Sequence, residues 1–295
     1  MIKENEKIIN DYLCHEKNAG HVKSDNTVRY YNRVLCEFTE HIGSTLLTDA
    51  THDMAVSYME SLSIADTSVN LYITTLKKFY TVLVDNGKIA ENPFENLRKK
   101  ATQKVQRCLS DDEIQTIMDC IEGMARQKRK MKAFVHLLIT TGLRISEILS
   151  IRYDMIQRFE VNGKIYGNCI ITGKGDKQRS VPILPTVLQE IDDYWYNERP
   201  VVDTSVLFLN EQGRIWHQTS VNRTLKTISE NAGIDDFKNV HAHTFRHSFA
   251  SKLINNGQDL VTVKELMGHS DISTTQRYIH VSDMHKKNVI ESVFN

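Results

Sequence analysis

Hydrophobic residues recur every three to four positions through much of the first 88 residues of this chain. In one stretch these residues are Val28, Tyr31, Leu35 and Phe38. Such spacing places apolar side chains on one face of a helix. Turn and N-cap residues separate the stretches that have this pattern. The stretches are 3–17, 25–41, 49–62 and 67–86. The sequence therefore predicts a small bundle of about four helices.

The pattern changes at residues 91–107, "ENPFENLRKKATQKVQR", which contain Pro93, a basic cluster and few apolar residues. Immediately afterwards, Ser110 and Glu113 have the spacing of a capping box, which marks the start of a helix. We therefore predict two domains. The expected boundaries are 1–88 for the helical domain, 89–107 for a linker and 108–295 for the second domain.

The second domain combines helical patterns with one predicted β-hairpin. β-branched residues flank a "GKGD" turn within 163–183, which predicts two strands. A short amphipathic tail is expected at 281–294. The expected helices are 110–122, 128–141, 144–151, 185–198, 217–232, 244–256, 260–267 and 272–279. The predicted fold class is therefore mainly α with a small antiparallel β-sheet, in two domains.

The composition argues against several classes of protein. No run of about 18 apolar residues is present, as a transmembrane helix would need. The N-terminal "MIKENEKIINDYL" is charged where a signal peptide would be apolar. We therefore expect a cytoplasmic protein. The five cysteines are scattered without a C-x-x-C pair, which supports neither a zinc ribbon nor a disulfide framework.

The charge balance gives no sign of a nucleic-acid partner. Lysine plus arginine and aspartate plus glutamate both number 37, so the formal net charge is zero. Nucleic-acid-binding domains usually have an excess of basic residues. If this chain binds DNA, folding must gather its positive charges on one face.

Four polar motifs of the second domain are hard to explain as packing. They are "TTGLRISEIL" (140–149), "TGKGDKQR" (172–179), "HAHTFRHSF" (241–249) and "LMGHSDISTTQRYIH" (266–280). In the third motif, a histidine and an arginine three positions apart share one helical face. The residues of interest are Arg144, Glu147, Lys174, His243, Arg246, His269 and Tyr278.

Each motif has a simpler explanation when it is taken alone. A single arginine or a hairpin-tip lysine is usually a surface group, and most tyrosines are packing residues. The "GKG" turn lacks the spacing and the following helix of a phosphate-binding loop, so we reject that function. His241, His243 and His247 could hold zinc, but no H-E-x-x-H glutamate or obvious third ligand accompanies them. No metal site is therefore expected.

Taken together, the residue types match the needs of phosphodiester cleavage without a metal. That reaction needs a nucleophile, cations on the non-bridging oxygens and an acid for the departing oxygen. Two arginines suit the phosphate because a guanidinium is permanently charged and can donate two parallel hydrogen bonds. A tyrosine hydroxyl, with a pKa of about 10, becomes a nucleophile when its proton is removed or nearby cations stabilise the anion. A histidine can add a donor, and a lysine can protonate the leaving 5′ oxygen.

The motifs "TGLRISE", "HTFRHSFA" and "ELMGHSDISTTQRYIHV", in this order and spacing, resemble the catalytic domain of tyrosine recombinases, the phage-integrase superfamily. The last two are especially similar to the bacterial Xer branch. By motif, the resemblance covers residues 108–281. Residues 1–88 more loosely resemble the helical, SAM-like core-binding domain of such proteins, which binds DNA. The combination is specific, although "TGLR" or "MGH" alone would not be.

The resemblance implies roles in phosphate binding for four residues. Arg144 and Arg246 match the two arginines that clamp the phosphate. His243 matches the position for proton transfer or phosphate contact, and His269 matches the later histidine of the family.

The resemblance also implies a nucleophile, a general acid and a supporting carboxylate. Tyr278 matches the nucleophile, Lys174 the hairpin lysine that acts as general acid, and Glu147 the acidic residue that supports the site. Met267 departs from the family, because leucine is commoner there. Lys177 lies so near Lys174 that the choice of general acid stays open.

The resemblance further implies a reaction. The tyrosine attacks a DNA phosphate, which gives a 3′-phosphotyrosyl link and a free 5′ hydroxyl, and a 5′ hydroxyl of a partner duplex then attacks that link. Bond types are conserved, so neither ATP nor a metal is needed, catalysis is chiefly electrostatic positioning, and no cofactor is expected. The task would be integration, excision, or the resolution of dimers or cointegrates.

The implied assembly is a tetramer on two double-stranded DNA sites, which exchanges one strand pair at a time through a Holliday junction. The tail 281–294 has an apolar stripe too small to form a core alone. The stripe could dock onto a neighbouring protomer, as in similar proteins, or pack on its own domain. Its residues are Val281, His285, Val289, Ile290 and Val293 or Phe294.

Three other functions are compatible with parts of the sequence. A DNA-binding regulator without catalysis would explain 260–279 as a helix-turn-helix, but it leaves the polar residues of the other motifs unexplained. A type IB topoisomerase uses similar chemistry without a particular site. A metal-dependent nuclease is the third alternative.

Overall fold

A helical unit begins the structure, a computed structural model that describes residues 2–22, 24–101, 107–172 and 178–268. The chain divides into two compact units, Met1–Lys104 and Val105–Asn295. The described α-helices of the first unit are α1 (Lys3–Asn18), α2 (Asp25–Ile42), α3 (His52–Ser61) and α4 (Asp66–Asp85), with a short 3-10 helix at Leu47–Asp49. The predicted helical bundle is confirmed, with helix ends within a few residues of those expected.

An aromatic core stabilises the first unit. The apolar stripe of α2 is buried at Val34, Leu35 and Phe38, and the ring of Phe38 lies 6.2 Å from that of Tyr80 on α4. Burying one such side chain contributes roughly 1.5–3 kcal/mol. The residues whose spacing predicted the helices are therefore the residues that form the core.

Residues after α4 also join this core. Phe94 is fully buried, its ring stacks on that of Tyr80 with centroids 5.3 Å apart, and the Asn92 side chain donates to a backbone carbonyl of α4. Part of the expected linker, 89–107, therefore packs on the helical unit. Its fully buried anchor is Phe94, next to Pro93. Partly buried beside the same core are Ile89 and Leu97. These few contacts give no helical periodicity.

The second unit combines a small sheet with helices. Before the sheet come α5 (Asp111–Glu122), α6 (Lys128–Thr141), α7 (Ile145–Leu149) and a 3-10 helix at Tyr153–Met155. The strands are β1 (Gln157–Val161), β2 (Lys164–Thr172) and β3 (Gln178–Ile183). After them come α8 (Pro185–Asn197), α9 (Gln218–Asn231), a 3-10 helix at Phe237–Asn239, α10 (Ala242–Asn255) and α11 (Leu260–Met267). The predicted fold class is confirmed.

The sheet contains a strand that the sequence did not predict. Its order in the described residues is β1-β2-β3, and both pairs are antiparallel. The predicted hairpin corresponds to β2 and β3. The residues of β1 are all exposed, so they lack the alternation of a half-buried strand. A two-residue turn at Asn162 and Gly163, both with positive φ, joins β1 to β2.

Helix α6 occupies the centre of the second unit. Its residues Phe134, Leu137 and Leu138 are completely buried, and Phe134 contacts the rings of Phe208 and Trp216 edge-on. The helix packs against α5, α8 and α10. This core fixes the C-terminal end of α6, from which the candidate site begins.

Several helix starts in this unit are set by capping side chains, among them those of α5 and α10. The predicted capping box of α5 is confirmed, because Ser110 Oγ accepts from the Glu113 N–H and the Glu113 carboxylate accepts from the Ser110 N–H. Helix α10 begins at Ala242, two residues before its predicted start, because His241 caps it. The sequence did not indicate that cap, since histidine is not a usual N-cap residue.

Several predicted features lie outside the described residues. They are helix 272–279, the tail 281–294, the hairpin tip with Lys174 and Lys177, His269 and Tyr278. Over the ranges that the structure describes, no helix combines the length and apolar character needed to cross a membrane.

Candidate active site

The turn between α6 and α7 places the first candidate arginine. Gly142 follows α6 with a φ of 58°, a left-handed conformation that favours glycine. A Cβ at this position would lie 2.2 Å from Cδ1 of Phe249, so a larger residue would force a shift. Arg144 follows as the N-cap residue of α7. The glycine is therefore needed to bring the chain from α6 into α7 at this point.

Glu147, in the first turn of α7, lies at the centre of the site, and its side chain is only 6% exposed. Its carboxylate accepts hydrogen bonds from the Arg144 N–H at 2.7 Å and from Arg144 Nη1 at 3.0 Å. It also accepts from Nη1 and Nη2 of Arg179, at 3.0 and 2.8 Å. This second pair has the two-bond geometry of strong arginine–carboxylate contacts. Nη1 of Arg246 lies 3.9 Å from the same carboxylate.

The charge state of Glu147 follows from these contacts. Burial by itself would raise the pKa of the carboxyl group. The hydrogen bonds from Arg179 and from the Arg144 backbone, together with the positive charges of both arginines, outweigh burial and hold that pKa below its ordinary value. Glu147 is therefore an anion at neutral pH that orders the cations around it.

Arg246, on α10, is almost completely buried. Its Nη1 donates to the carbonyl oxygen of Gly142 at 2.5 Å, and its Nη2 donates to that of Met267 at 2.6 Å. A buried guanidinium requires such acceptors, because removing a charge from water is costly. Arg246 therefore ties α10 to the end of α6 and to the end of α11.

Arg144 is the more accessible of the two candidate arginines, since 31% of its side chain is exposed. Its Nη2 donates to the carbonyl oxygen of Gly268 at 3.1 Å. Gly268 is the C-cap residue of α11 and has a left-handed backbone, with a φ of 62°. Both arginines thus bind carbonyl oxygens at the negative end of α11.

Three histidines lie along the first half of α10. Nδ1 of the N-cap residue His241 accepts from a backbone N–H of the first turn at 3.2 Å, so this histidine has a structural role. Burial, and then the nearby Arg246, lower the pKa of His243. Burial, and then the neighbouring histidines, lower the pKa of His247 to about 4. Both are therefore neutral at neutral pH, and a neutral imidazole can donate and accept hydrogen bonds.

The structure brings Arg144 and Arg246 together around Glu147, and it places His243 one turn before Arg246 on α10. Strands β2 and β3 flank the hairpin tip, with Thr172 paired to Gln178. The remaining predicted site residues lie outside the described ranges. These are Lys174, His269 and Tyr278.

Arg179 belongs to this cluster, although the sequence motifs assigned it no role. It lies on β3, on the same face of the strand as the buried residues Val181 and Ile183, while the residues between them are exposed. An arginine in such a register needs an anionic partner. The alternation was therefore a signal for a buried ion pair, but it could not identify Glu147 as the partner.

The chemistry of the cluster follows from its charges. Three guanidinium groups share one carboxylate among the described residues of the site. The excess positive charge suits an anion with several oxygen atoms, and phosphate is one whose geometry a guanidinium matches with two parallel hydrogen bonds. Arg144 offers the accessible N–H groups. Binding and polarising a phosphodiester is therefore the chemistry that these residues support.

Comparison with known proteins agrees with this chemistry. The model of the Phage integrase family matches residues 107–285, and that of the Phage integrase N-terminal SAM-like domain matches residues 11–87. A tyrosine recombinase XerD of Lacticaseibacillus casei is 36% identical over 227 residues, which cover 75% of this chain and 74% of the relative. A tyrosine recombinase XerD of Listeria monocytogenes is 31% identical over 281 residues, which cover 90% of this chain and 91% of the relative.

Solved structures share the fold at lower sequence identity. The XerH site-specific recombinase bound to palindromic difH substrate, in a post-cleavage complex, has a TM-score of 0.76 at 20% identity. The match covers 97% of this chain and 94% of the XerH chain. The Tn1549 transposon integrase in complex with circular intermediate DNA has a TM-score of 0.76 at 19% identity, covering 96% of this chain and 98% of its own. These likenesses support the two-unit architecture.

Proposed function

This chain belongs to the phage integrase family of tyrosine recombinases, and on that premise we propose that its arginine cluster binds the scissile phosphate of a DNA recombination site. The protein is a site-specific recombinase. The observation that carries the assignment of its site is the shared carboxylate of Glu147, which holds Arg144 while Arg246 lies beside it. In this proposal the two guanidinium groups bind the non-bridging oxygens of the phosphate.

The proposed cleavage step uses Tyr278 as nucleophile. Its hydroxyl oxygen forms a bond to phosphorus, and the bond from phosphorus to the 5′ oxygen breaks. The tyrosine proton passes to a base, for which the neutral imidazole of His243 is the described candidate, and Lys174 donates a proton to the departing 5′ oxygen, with Lys177 as the alternative donor. A 5′ hydroxyl of a partner duplex reverses these steps and joins the strands through a Holliday junction. The number of phosphoester bonds is unchanged, so no ATP is consumed.

The electrostatic part of catalysis is assigned to the described cluster. Negative charge grows on the phosphate oxygens as the tyrosine attacks, and preorganised cations stabilise that charge more in the transition state than in the ground state. The neutral His243 would donate to a phosphate oxygen or transfer a proton. His269 follows Gly268 directly in the sequence, and Arg144 binds the carbonyl oxygen of that glycine, which supports a role for His269 beside the same phosphate.

The proposed assembly has four protomers on two duplex sites. Residues 1–88 would form the core-binding domain, 89–107 a linker and 108–295 the catalytic domain, with the tail 281–294 docked on a neighbouring protomer. DNA as the partner is supported by the XerH and Tn1549 proteins, whose solved structures are complexes with DNA. We place the reaction in the cytoplasm and leave the target sequence and any accessory protein to experiment.

The experiment that tests this function needs the recombination site first. Duplexes with a random central sequence are incubated with the protein, and strands that stay attached after denaturation are sequenced. The recovered site is then built into a duplex with a nick beside the scissile phosphate, so that cleavage releases a short fragment and traps the adduct. We expect a covalent adduct with the wild type and with EDTA present, and none with Tyr278→Phe.

The same substrate separates the alternatives. DNA binding without an adduct would indicate a non-catalytic regulator. An adduct together with relaxation of supercoiled plasmid that lacks the site would indicate a type IB topoisomerase. Cleavage that EDTA abolishes would indicate a metal-dependent nuclease.

A further inference from the structure

Arg179 is placed to control the phosphate-binding residues without touching the phosphate itself. Its side chain is 14% exposed, and both of its terminal nitrogens donate to the carboxylate of Glu147. With these nitrogens engaged by an anion, Arg179 is a poor candidate for a third phosphate ligand. Its contacts point instead to an action on Glu147.

Glu147 is held through both of its carboxylate oxygens by two residues, Arg144 of its own helix start and Arg179 of β3. Arg144 supplies one backbone and one side-chain hydrogen bond, one to each carboxylate oxygen, and Nη1 of Arg246 lies 3.9 Å from the carboxylate. Arg179 supplies two hydrogen bonds, one to each carboxylate oxygen. A carboxylate gripped through both oxygens has a fixed plane. Because Arg144 is local to α7, Arg179 is the hydrogen-bonding partner that fixes the Glu147 carboxylate, and so Arg144, relative to the sheet.

A second contact connects Arg179 to the end of α11. A Cβ built on Gly268 would lie 2.6 Å from Nη1 of Arg179, so the guanidinium rests against the backbone of that glycine. The carbonyl oxygen of the same glycine accepts from Arg144. Arg179 thus contacts Glu147, whose carboxylate accepts from Nη1 of Arg144. It also contacts Gly268, whose carbonyl oxygen accepts from Nη2 of Arg144.

The position of Arg179 in the sequence adds a third connection. It is the second residue of β3, immediately after the hairpin tip that contains Lys174. The register of β3 with β2 runs from Gln178 to Ile183, so the start of the strand is fixed to the sheet. One side chain therefore joins the base of the hairpin, Glu147 of α7 and the C-terminal end of α11.

We propose that Arg179 is a positioning residue for strand cleavage, which fixes the Glu147 carboxylate and the end of α11 so that Arg144 is presented to the phosphate. The inference rests on the proposed function of the cluster. A guanidinium is required for this role because it matches both carboxylate oxygens at once, whereas a lysine ammonium offers a single point of charge. Arg179→Lys should therefore restore only part of what Arg179→Met removes.

The pH dependence of cleavage distinguishes this role from general stabilisation. The charged groups that face Glu147 are Arg144 at its own helix start, Arg179 from β3 and Arg246 from α10. Without Arg179, Glu147 stays buried but loses two hydrogen bonds, so its pKa must rise. A new acid limb should then appear in the rate of cleavage, because protonated Glu147 no longer holds Arg144 as an ion pair.

The test measures single-turnover adduct formation on the nicked duplex, at saturating protein, from about pH 5 to about pH 9. Arg179→Met should lose about tenfold or more in rate near the acid end and recover toward higher pH, with affinity for the duplex changed less than about threefold. The cleavage rate of Arg179→Lys should lie between those of the wild type and Arg179→Met. The double variant Arg179→Met with Glu147→Gln should cleave no more slowly than Glu147→Gln alone and show no acid limb, because the titrating group is gone.

Arg158 provides a matched control in the same sheet. It lies on β1 and forms an ion pair with Asp192 at 2.6 Å, away from the cluster around Glu147. Arg158→Met should leave the rate and its pH profile unchanged. If Arg179→Met lowered the rate by one factor at every pH, or left it unchanged, the inference would be overturned while wild-type cleavage still supported the proposed function. Absence of a wild-type adduct would overturn the proposed function, and the inference with it.

Discussion

Arg144 and Gly268 are 124 positions apart in the sequence, yet Arg144 Nη2 donates to the Gly268 carbonyl oxygen at 3.1 Å. Arg246 makes the equivalent contact with the preceding carbonyl, that of Met267, at 2.6 Å. The residues proposed to bind the phosphate therefore also hold the end of α11. Since the segment with His269 and Tyr278 continues from this point in the sequence, the proposed phosphate binding and the proposed placement of the nucleophile involve the same two guanidinium groups.

Gly268→Ala tests whether the close fit at the end of α11 matters for catalysis. The new Cβ would lie 2.6 Å from Arg179 Nη1 and would sit on a residue with a φ of 62°. We expect adduct formation to fall by about tenfold or more, with DNA affinity nearly unchanged. Gly257→Ala is the matched control, because Gly257 also has positive φ but nothing within 4 Å of its Cβ position. Equal rates for the two variants would contradict the proposed role of this contact.

Gly142→Ala tests the turn that places Arg144. An alanine there incurs the left-handed backbone penalty of about 1–2 kcal/mol and the overlap with Phe249, which costs roughly a further 1–3 kcal/mol. Gly163→Ala incurs the first cost alone, since nothing lies within 4 Å of its Cβ position. Denaturant unfolding should therefore show a larger loss of stability for Gly142→Ala. Adding Phe249→Ala to Gly142→Ala removes the overlap and should therefore restore part of the lost stability. If no stability is restored, the overlap is absent.

The ion pairs of Glu147 predict a stability change in acid. Because its folded-state pKa lies below its ordinary value of 4.5, the unfolded chain binds the proton first as the pH falls. The stabilisation is present above pH 4.5 and is lost as the pH drops through the lower, folded-state pKa. Unfolding midpoints of the wild type should fall more steeply below about pH 4.5 than those of Glu147→Gln. Parallel curves would show that Glu147 is not held as an anion.

Protonation of His247 predicts a second pH range, separate from that of Glu147, in which the stability of the fold changes. Its folded-state pKa of about 4 is below the ordinary 6.5, so the unfolded state takes up a proton that the folded state does not. Stability is therefore complete above pH 6.5 and declines toward pH 4, with a slope of at most about 1.4 kcal/mol per pH unit. Following the imidazole carbon signal by NMR should give a midpoint near 4, and His247→Gln should remove this part of the pH dependence. A midpoint near 6.5 would refute it.

DNA binding should depend strongly on salt although the net charge is zero. Affinity reflects the phosphates that are neutralised locally, and each releases counterions. A titration of the recovered site from about 50 to about 200 mM salt should weaken binding about 100-fold or more. Arg144→Ala should reduce the slope, whereas Arg152→Ala, which removes an exposed pair with Asp154, should leave it unchanged. A flat response would mean that the DNA-facing surface lies elsewhere.

The sequence predicted the parts of this fold that a repeating pattern encodes. Helix α2 has a buried stripe at three-to-four spacing, so its existence and ends could be read directly. Strand β1 has no buried face, and its pairing with β2 arises from a tight turn, so the pattern carried no signal. The anchor at Phe94 was missed for a related reason, since one buried ring has no period.

The candidate site, like the fold, was predictable from the sequence only in part. Arg144, Glu147 and Arg246 lie in local motifs, and the motifs singled them out as polar residues that packing does not explain. The ion pair between Arg179 and Glu147 joins positions 32 apart, and its geometry depends on the register of β3. Such a contact follows from tertiary structure, and periodicity could indicate only that Arg179 needs a partner.

The proposed mechanism is tested most sharply by identifying the residue that becomes joined to DNA. The trapped adduct is digested with trypsin and nuclease, and the modified peptide is sequenced by mass spectrometry. We expect one modified residue, Tyr278, linked to the 3′-phosphate of the cleaved strand, and no adduct from Arg144→Ala under conditions in which Arg152→Ala reacts normally. Attachment at another residue, or through a 5′-phosphate, would contradict it.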